Sequence, residues 1–125
     1  MNLLLDTHVL LWWLDDPSLL SQQAMESIKH PDNNVTVSVV SAWEIAIKKR
    51  LGKLEVPENL KESVAASGFQ WLSVVYEHVW RVKDLPFHHE NPFDRLLIAQ
   101  ADIEDLTFVT RDSGIKAYSI PLLDA

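Results

Sequence analysis

The first segment of the chain, Asn2 to Asp6, constrains the fold more than any other. Its three consecutive leucines, Leu3 to Leu5, are apolar without alternation and end at an aspartate. A strand with one exposed face alternates between apolar and polar residues, whereas a strand of a parallel sheet is covered on both faces and is apolar throughout. The segment therefore predicts a buried strand of a parallel sheet, with a carboxylate at its carboxyl end.

The remainder of the chain alternates between strand-like and helix-like segments. Such alternation predicts βαβ units with right-handed crossovers, and hence a three-layer α/β/α domain with a parallel five-stranded sheet. The last strand contains Pro121 and is expected at an edge. The predicted strands cover residues 2–6, 33–40, 69–75, 106–110 and 118–123, and the predicted helices cover residues 7–14, 18–30, 41–54, 56–68, 76–85 and 92–105.

Composition limits the class of protein. The chain has 125 residues, 47% of them hydrophobic, so a single domain over residues 1–125 is expected. It has no cysteine, which excludes disulfides and thiolate metal sites. No apolar run reaches the ~20 residues that span a bilayer and no signal peptide is evident, so a cytoplasmic protein without membrane contact is expected. The formal charge of −7 argues against a simple basic nucleic-acid binder.

Four acidic side chains are predicted to meet at one edge of this sheet. Ligands of parallel sheets bind beyond the carboxyl ends of the strands. Asp6 ends the first strand and Asp112 follows the fourth, while Glu44 and Asp94 lie in the predicted first turns of helices that begin at the same edge. The lateral distances between the carboxylates depend on the strand order, which the sequence does not give.

Each acid also has a structural explanation. The segment SAWE matches a capping box, in which Ser41 caps a helix and Glu44 reaches back to it. The segment NPFD is close to the same motif, with Asn91 as the cap. Asp6 is suited to cap the helix that follows it, and Asp112 is suited to a turn.

Taken together, the four acids favour a metal site. Like charges within a few ångströms raise one another's pKa or need a counter-charge. Carboxylate oxygens are the ligands that Mg²⁺ and Mn²⁺ prefer, and a cation explains how Asp6 remains ionised at the end of a buried strand. Such a cation lowers the pKa of a bound water and stabilises charge on a phosphoryl group, so the site predicts phosphodiester hydrolysis.

Four segments carry a resemblance to a known family: LLLDTHVLLWWL, SAWEIAIKKRLGKL, NPFDRLLIAQA and FVTRD. In order and spacing they resemble the PIN-domain ribonucleases, specifically the VapC-type toxins of type II toxin–antitoxin systems, over essentially the whole chain. The resemblance implies a PIN-like fold and Mg²⁺- or Mn²⁺-dependent endoribonuclease activity on RNA, often tRNA or rRNA. It also implies a homodimer and a cognate antitoxin whose C-terminal segment lies over the site. The family's acidic quartet and its hydroxyl residue map onto Asp6, Glu44, Asp94, Asp112 and Thr110.

These residues are expected to divide the work of the site. Asp6 and Asp94 are expected to contact the metal directly or through water. Asp112 and Glu44 are expected to complete the acidic pocket, and either of them to orient or deprotonate the attacking water. Thr110 either holds a carboxylate or water through its hydroxyl or is an ordinary strand threonine.

Basic residues near the acids are candidates for RNA contacts. Arg95 and Arg111 flank acids in the sequence and either grip the scissile phosphate or pair with an acid at the surface. Lys48 and Lys49 belong to the basic run KKRLGK on the helix that carries Glu44, where cations also complement the helix dipole. This run either contacts the RNA backbone or forms a solvated face.

Two adjacent tryptophans, Trp12 and Trp13, suggest a partner surface. Adjacent helical residues diverge by about 100°, so the two indoles need not be buried in the same core. They either contribute to a hydrophobic groove for an antitoxin helix or belong to the core. His88 and His89 are interpreted as ordinary loop residues, because further nitrogen or sulfur ligands are lacking at an evident spacing.

Two other functions fit parts of the pattern. A receiver-like signalling domain has a similar size and topology, but it needs an acidic pair after the first strand and an aspartate after the third. The sequence has Asp6 alone after the first strand and VVYEH after the third. A catalytically silent PIN-like binding module is the other alternative, which metal-dependent cleavage would separate from a nuclease.

Overall fold

The computed structural model describes residues 1–53, 56 and 58–125. Five parallel strands form one sheet in the order β3-β2-β1-β4-β5. The strands are β1 (Asn2–Leu5), β2 (Asn34–Ser38), β3 (Gln70–Leu72), β4 (Thr107–Thr110) and β5 (Leu122–Asp124). The three leucines of β1 are fully buried at the centre of this sheet, and β5 lies at an edge. The predicted parallel sheet is therefore confirmed, including its buried first strand and the edge position of its last strand, but that strand begins at Leu122 and does not include Pro121.

Helices cover both faces of the sheet. Side chains alternate along β1, so Leu3 and Leu5 join one apolar cluster, which includes Val64, while Leu4 joins the other, which includes Ile98. This division into two cores confirms the three-layer α/β/α architecture. The described helices are α1 (Thr7–Asp15), α2 (Gln22–Lys29), α3 (Val39–Arg50), α4 (Leu60–Ala66), α5 (Tyr76–Arg81) and α6 (Pro92–Ile103). That residues 1–125 form a single domain stays a prediction.

The strand order excludes one alternative. A receiver-like doubly wound sheet has the order 2-1-3-4-5, in which the first and third strands are neighbours. Here β2 and β4 flank β1, and β3 lies outside β2. The receiver-like interpretation is therefore wrong.

The start of α3 differs from the prediction. The helix begins at Val39 directly after β2, and the Ser38 hydroxyl caps it by accepting a hydrogen bond from the Val40 amide. The predicted capping box at Ser41 is wrong, because the Ser41 hydroxyl is buried and accepts a hydrogen bond from Thr7 at 2.9 Å. The β-branched pair at 39–40 favoured a longer strand, but Val40 is instead packed in the core from the helix. Glu44 therefore lies in the second turn of α3, not in the first.

The other helix starts follow the prediction more closely. Asn91 caps α6 by accepting hydrogen bonds from the amides of Phe93 and Asp94, as the NPFD motif predicted. Asp6 occupies the cap position of α1, but its side chain is directed to Thr110 rather than to the helix amides. The cap explanation of Asp6 is therefore wrong.

Remaining boundaries shift by a few residues. The predicted third strand, 69–75, is shortened to 70–72, and the predicted helix 76–85 ends at Arg81 and continues as a 3₁₀ turn over Val82–Asp84. Two predicted features, the end of one helix at Leu54 and the proline Pro57 near the start of the next, lie outside the described residues. Within the described residues, every helix is too short or too polar to cross a membrane.

Candidate active site

One cavity of about 450 Å³ opens at the carboxyl edge of the sheet, and all four predicted acids line it. Asp6 and Asp112 reach it from the ends of β1 and β4, and Glu44 and Asp94 reach it from α3 and α6. We call this space the acid cavity. Its lining residues are Asp6, His8, Val9, Trp12, Glu44, His89, Asn91, Asp94, Arg111 and Asp112.

Thr110 links the two strands that carry Asp6 and Asp112. Because Leu5 pairs with Val109, the next residue on each strand lies beside the other at the sheet edge. The Thr110 hydroxyl donates a hydrogen bond to Asp6 Oδ2 at 2.7 Å and accepts one from the Asp112 amide at 3.1 Å. One buried hydroxyl thus orients the Asp6 carboxylate and fixes the backbone of Asp112.

Glu44 is the most deeply buried of the four acids, with 2% of its surface exposed. Its Oε2 accepts a hydrogen bond from Lys48 Nζ at 2.8 Å, one turn along α3. Its Oε1 is buried and has no hydrogen-bond partner among the described residues. A buried carboxylate oxygen without a donor is costly, so this atom is suited to a cationic ligand.

His89 joins the acids, although no spacing in the sequence predicts that it does. Its Nε2 lies 2.8 Å from Asp112 Oδ2 and 3.3 Å from Asp94 Oδ2. The interpretation of His89 as an ordinary loop residue is therefore wrong. The adjacent His88 instead packs edge-on against Tyr118, with 5.1 Å between ring centroids. Two neighbouring histidines thus have different surroundings, which only the folded loop distinguishes.

Burial and mutual repulsion shift the pKa values of the acids in different directions. Burial, reinforced by the charge of Asp6, raises the pKa of Asp94 to about 7. Burial also raises the pKa of Asp6, although the Thr110 hydroxyl opposes the shift. Burial acts on Asp112 in the same sense, but the hydrogen bonds from His89 and from the Gly114 amide outweigh it and hold its pKa below its usual range. The site therefore gathers more negative charge than its surroundings neutralise.

The donor set fits a hard divalent cation. The four acids supply carboxylate oxygens to one cavity, and Glu44 Oε1 has no hydrogen-bond partner among the described residues. Ligand atoms of His89, Asp94 and Asp112 lie within 4.8 Å of one another. Oxygen-rich sites of this kind suit Mg²⁺ and Mn²⁺, so the observed residues can hold such an ion.

Of the basic residues predicted to contact RNA, some lie near the acid cavity and others lie away from it. Arg111 lines the cavity, where its guanidinium lies 4.3 Å from the centre of the Trp12 ring. It donates to the main-chain oxygens of Leu19 and of Ala125, the latter at 2.7 Å, but unlike Arg95 the residue is exposed. Lys48 pairs with Glu44, whereas Lys49 pairs with the exposed Glu58. Arg111 and Lys48 therefore remain candidates for phosphate contact.

Arg95 does not have the predicted role. Its side chain is buried, and its guanidinium donates to the carbonyl oxygens of Pro86 and Val82, each at 3.0 Å, and to the Tyr118 hydroxyl at 3.2 Å. A guanidinium committed to the interior is not available to a phosphate. The predicted phosphate contact of Arg95 is therefore wrong, and its function is to hold the loop between α5 and α6.

Trp12 and Trp13 also have different surroundings. Both are half-buried and pack against the first core cluster. Trp13 contacts Phe69 and donates its indole N–H to Ser67 Oγ at 3.1 Å, so it belongs to the core. Trp12 borders the acid cavity beneath Arg111. A role for these residues in an antitoxin groove stays a prediction, and Trp12 is the one that lines the acid cavity.

Comparison with known proteins agrees with this geometry. The chain is 28% identical to the ribonuclease VapC22 of Mycobacterium tuberculosis, over 96% of this chain and 94% of that protein. It is similar in fold to a chain in the crystal structure of VapBC2 from Rickettsia felis bound to a promoter DNA fragment, with a TM-score of 0.74, 14% identity, and coverage of 99% and 98% of the two chains.

A second solved structure has the same fold. The toxin–antitoxin system VapBC-5 of Mycobacterium tuberculosis matches with a TM-score of 0.61 and 17% identity, over 99% of this chain and 98% of that one. The family model described as the PIN domain matches residues 3–121. Because that match covers nearly the whole chain, the protein belongs to the PIN domain family.

Proposed function

We propose that the chain is a metal-dependent endoribonuclease that hydrolyses RNA phosphodiester bonds and acts as the toxin of a toxin–antitoxin pair. The observation that carries the proposal is the convergence of Asp6, Glu44, Asp94 and Asp112 in one cavity, with Glu44 Oε1 buried and unpartnered among the described residues. The similarity to a ribonuclease named VapC22 supports the choice of RNA as substrate.

The residues that would hold the cation are Asp6, Glu44, Asp94 and Asp112, which offer the oxygen ligands of Mg²⁺ or Mn²⁺. When bound, the ion supplies Lewis-acid polarisation of the phosphoryl group and a lowered pKa for an attacking water. The protein contributes the positions of the carboxylates. Thr110 holds Asp6 by a 2.7 Å hydrogen bond. Asp112 or Glu44, which both line the acid cavity, then orients or deprotonates the attacking water.

Arg111 is placed to bind the substrate. The residue is exposed and lines the acid cavity, and its guanidinium lies over the half-buried Trp12. A planar guanidinium binds phosphate oxygens through several N–H donors. We infer that Arg111 contacts an RNA phosphate next to the scissile bond, with Lys48 as a second and weaker candidate.

The proposed partners follow from the solved relatives. The structures from Rickettsia felis and Mycobacterium tuberculosis are of VapBC systems, and that of Mycobacterium tuberculosis is named as a toxin–antitoxin system. We therefore propose a cognate antitoxin, a homodimer and a cytoplasmic location for this chain. The RNA target is proposed to be tRNA or rRNA.

The proposal is tested by incubating the purified, antitoxin-free chain with total tRNA and rRNA in Mg²⁺, Mn²⁺ or EDTA. Cleavage is expected with metal and not with EDTA, and it is expected to be lost in Asp6→Asn and Asp94→Asn. Asp102→Asn is the matched control, because Asp102 lies on α6 like Asp94 but forms an ion pair with Arg81 at 2.8 Å. Metal binding without cleavage of any RNA would instead support the silent binding module, and loss of cleavage in Asp102→Asn as well would indicate a folding effect.

A further inference from the structure

The imidazole of His89 lies between two of the proposed metal ligands. Its side chain is 18% exposed, and its Nε2 lies 2.8 Å from Asp112 Oδ2 and 3.3 Å from Asp94 Oδ2. A nitrogen so close to two carboxylates has one of two functions. It either binds the cation with them as a ligand or donates a hydrogen bond that orients them.

The other ring nitrogen decides between these functions. The Asn91 amide donates a hydrogen bond to His89 Nδ1 at 3.1 Å, so Nδ1 carries a lone pair and not a proton. In a neutral imidazole the proton is then on Nε2, and Nε2 has no lone pair for a metal. Metal-ligating histidines instead donate a hydrogen bond from the nitrogen that does not bind the metal. The observed hydrogen bonds therefore make Nε2 a donor to the carboxylates.

The hydrogen bond from His89 adds to the other hydrogen bonds by which the protein holds Asp112. Asp112 Oδ2 faces the Nε2–H of His89, and Asp112 Oδ1 accepts a hydrogen bond from the Gly114 amide at 2.8 Å. The Thr110 hydroxyl also holds the Asp112 amide. A carboxylate held at both oxygens keeps one orientation, although its side chain is more exposed than that of Asp94.

The loop that carries His89 is itself held in place. The Tyr118 hydroxyl accepts a hydrogen bond from the His89 amide at 3.1 Å, and Arg95 donates to the Pro86 carbonyl in the same loop. Both contacts come from outside the loop. The imidazole is therefore presented to the acids from a fixed backbone.

We propose that His89 is a positioning residue, which donates its Nε2–H to Asp112 and so holds this carboxylate in the orientation that the metal site uses, without binding the metal itself. The inference rests on the proposed function, since it assigns His89 a place in the same site. Partners that orient metal ligands in this way typically contribute roughly 10- to 100-fold to metal affinity.

A nearby glycine offers an independent perturbation. A Cβ added at Gly114 would lie 3.2 Å from Asp112 Oδ1 and 3.3 Å from His89 Cδ2. Gly114→Ala therefore crowds the pair while it preserves both side chains. If the alignment of His89 with Asp112 matters, this substitution weakens metal binding in the same direction as loss of the imidazole.

The experiment measures Mn²⁺ binding by isothermal titration calorimetry on the full chain without RNA. The variants are His89→Leu, which removes the donor, and His89→Gln, whose amide N–H lies at about the position of Nε2. His88→Leu is the matched control, because His88 packs against Tyr118 instead of the acids. Thermal melts identify any variant that fails to fold, and Gly114→Ala then serves as the second test.

The expected result is a roughly tenfold or greater loss of Mn²⁺ affinity in His89→Leu, with substantial recovery in His89→Gln and unchanged binding in His88→Leu. Where cleavage is measurable, His89→Leu is expected to lower kcat more than it raises KM. Nitrogen NMR of the imidazole is expected to show protonated Nε2 with and without Mg²⁺, which is diamagnetic and leaves the signal observable.

Other outcomes overturn the proposal. Equal Mn²⁺ affinity in His89→Leu and in the unmodified chain would mean that His89 does not support the site. Tighter binding in His89→Leu would mean that the imidazole competes with the cation, and failure of His89→Gln to recover affinity would mean that the imidazole is a ligand. In each of these cases the unmodified chain still binds Mn²⁺, so the metal-dependent function survives; if the unmodified chain binds none, that function fails as well.

Discussion

Two clusters of buried polar residues differ in the charge that their side chains bring together. One is the acid cavity. The other, which we call the Gln100 network, consists of Ser38, Gln100 and His78. Ser38 donates to Gln100 Oε1, and the Gln100 amide nitrogen lies 3.2 Å from His78 Nδ1 and 3.3 Å from the Ser73 carbonyl.

The difference between the clusters separates structure from function. Hydroxyl, amide and imidazole groups bond to one another in the Gln100 network, which joins the start of α3 to α5 and α6, and His78 Nε2 is the one buried atom of this network without a partner among the described residues. The acid cavity instead collects four carboxylates, leaves Glu44 Oε1 without a partner among the described residues, and raises the pKa of Asp94 to about 7. Hydrogen bonds between uncharged groups stabilise a fold, whereas a cluster of like charges is retained at the cost of stability where a ligand completes it.

The largest expected effect follows from neutralising one acid. Asp94→Asn should reduce metal-dependent RNA cleavage by roughly 10²- to 10³-fold, the size found when one group that stabilises developing charge is removed. The same variant should melt at a higher temperature than the unmodified chain at pH 8 in EDTA, since it removes a buried charge among like charges. Cleavage rates and thermal melts on the same preparations measure both. A variant that loses activity and also melts lower would contradict the functional explanation of this cavity.

A substitution in the Gln100 network should have the opposite pair of effects, a loss of stability without a loss of cleavage. Gln100→Leu removes the acceptor of the buried Ser38 hydroxyl and should lower the free energy of unfolding by about 1–3 kcal/mol. Cleavage per folded molecule should be unchanged. Urea unfolding gives the first quantity, and Gln22→Leu is the control, because Gln22 is exposed and bonded only to Glu26 in the same helix. Loss of cleavage in Gln100→Leu at unchanged stability would remove the distinction between the two clusters.

The pH dependence of stability should reveal the excess of negative charge in the acid cavity. A carboxyl whose pKa is raised on folding binds protons more tightly in the folded state, so its contribution to stability falls as the pH rises from its usual value of about 4 to its folded value. For Asp94 this window ends at about pH 7. In EDTA, the stability of Asp94→Asn relative to the unmodified chain should therefore increase from pH 5 to pH 8.

Denaturant unfolding at several pH values measures this difference. The comparison leaves every titratable side chain other than Asp94 in place in both proteins. Asp112 should act in the opposite sense at lower pH, since its pKa is lowered and its stabilising contribution is lost as the carboxylate is protonated. A difference between Asp94→Asn and the unmodified chain that is constant from pH 5 to pH 8 would mean that Asp94 titrates normally.

The fold and the meeting of the acids could be predicted because both depend on periodicity and topology. An apolar run such as Leu3–Leu5 requires cover on both faces, and parallel strands bring their carboxyl ends to one edge. Thus Asp6 and Asp112, which are far apart in the sequence, were predicted to lie at the same edge of the sheet without knowledge of the strand order. The strand order itself, with β1 between β2 and β4, depends on tertiary packing and was not readable.

The errors concern contacts that only the folded loops create. Val39 and Val40 have strand propensity, so the helix was predicted to start at Ser41, whereas packing of Val40 extends the helix by two residues. His89 and Arg95 were misjudged for a related reason. In the structure the Arg95 guanidinium faces carbonyl oxygens of the loop before α6, and the His89 imidazole of that loop faces the acids. Neither orientation corresponds to a recognisable spacing of residues in the sequence.

The smallest expected effect concerns Lys48, which at present neutralises part of the acid cavity. Its Nζ lies 2.8 Å from Glu44 Oε2, and its side chain is 32% exposed. Lys48→Met should tighten Mn²⁺ binding a few-fold, because an ammonium near the site repels the cation by about 1 kcal/mol when solvent screens the pair. Lys49→Met is the control, because that lysine pairs with Glu58 at the surface.

The calorimetric titration is carried out without RNA, so the loss of a phosphate contact by Lys48 cannot change the measured Mn²⁺ affinity. Tighter binding in Lys48→Met and unchanged binding in Lys49→Met would mean that Lys48 and the cation compete for the same carboxylate. Weaker binding in Lys48→Met would mean that Lys48 holds Glu44 in the orientation that the metal needs, as His89 is proposed to do for Asp112. The protein itself would then orient the Glu44 carboxylate in the absence of an ion. At this one carboxylate the acid cavity would resemble the Gln100 network, whose side chains orient one another through hydrogen bonds.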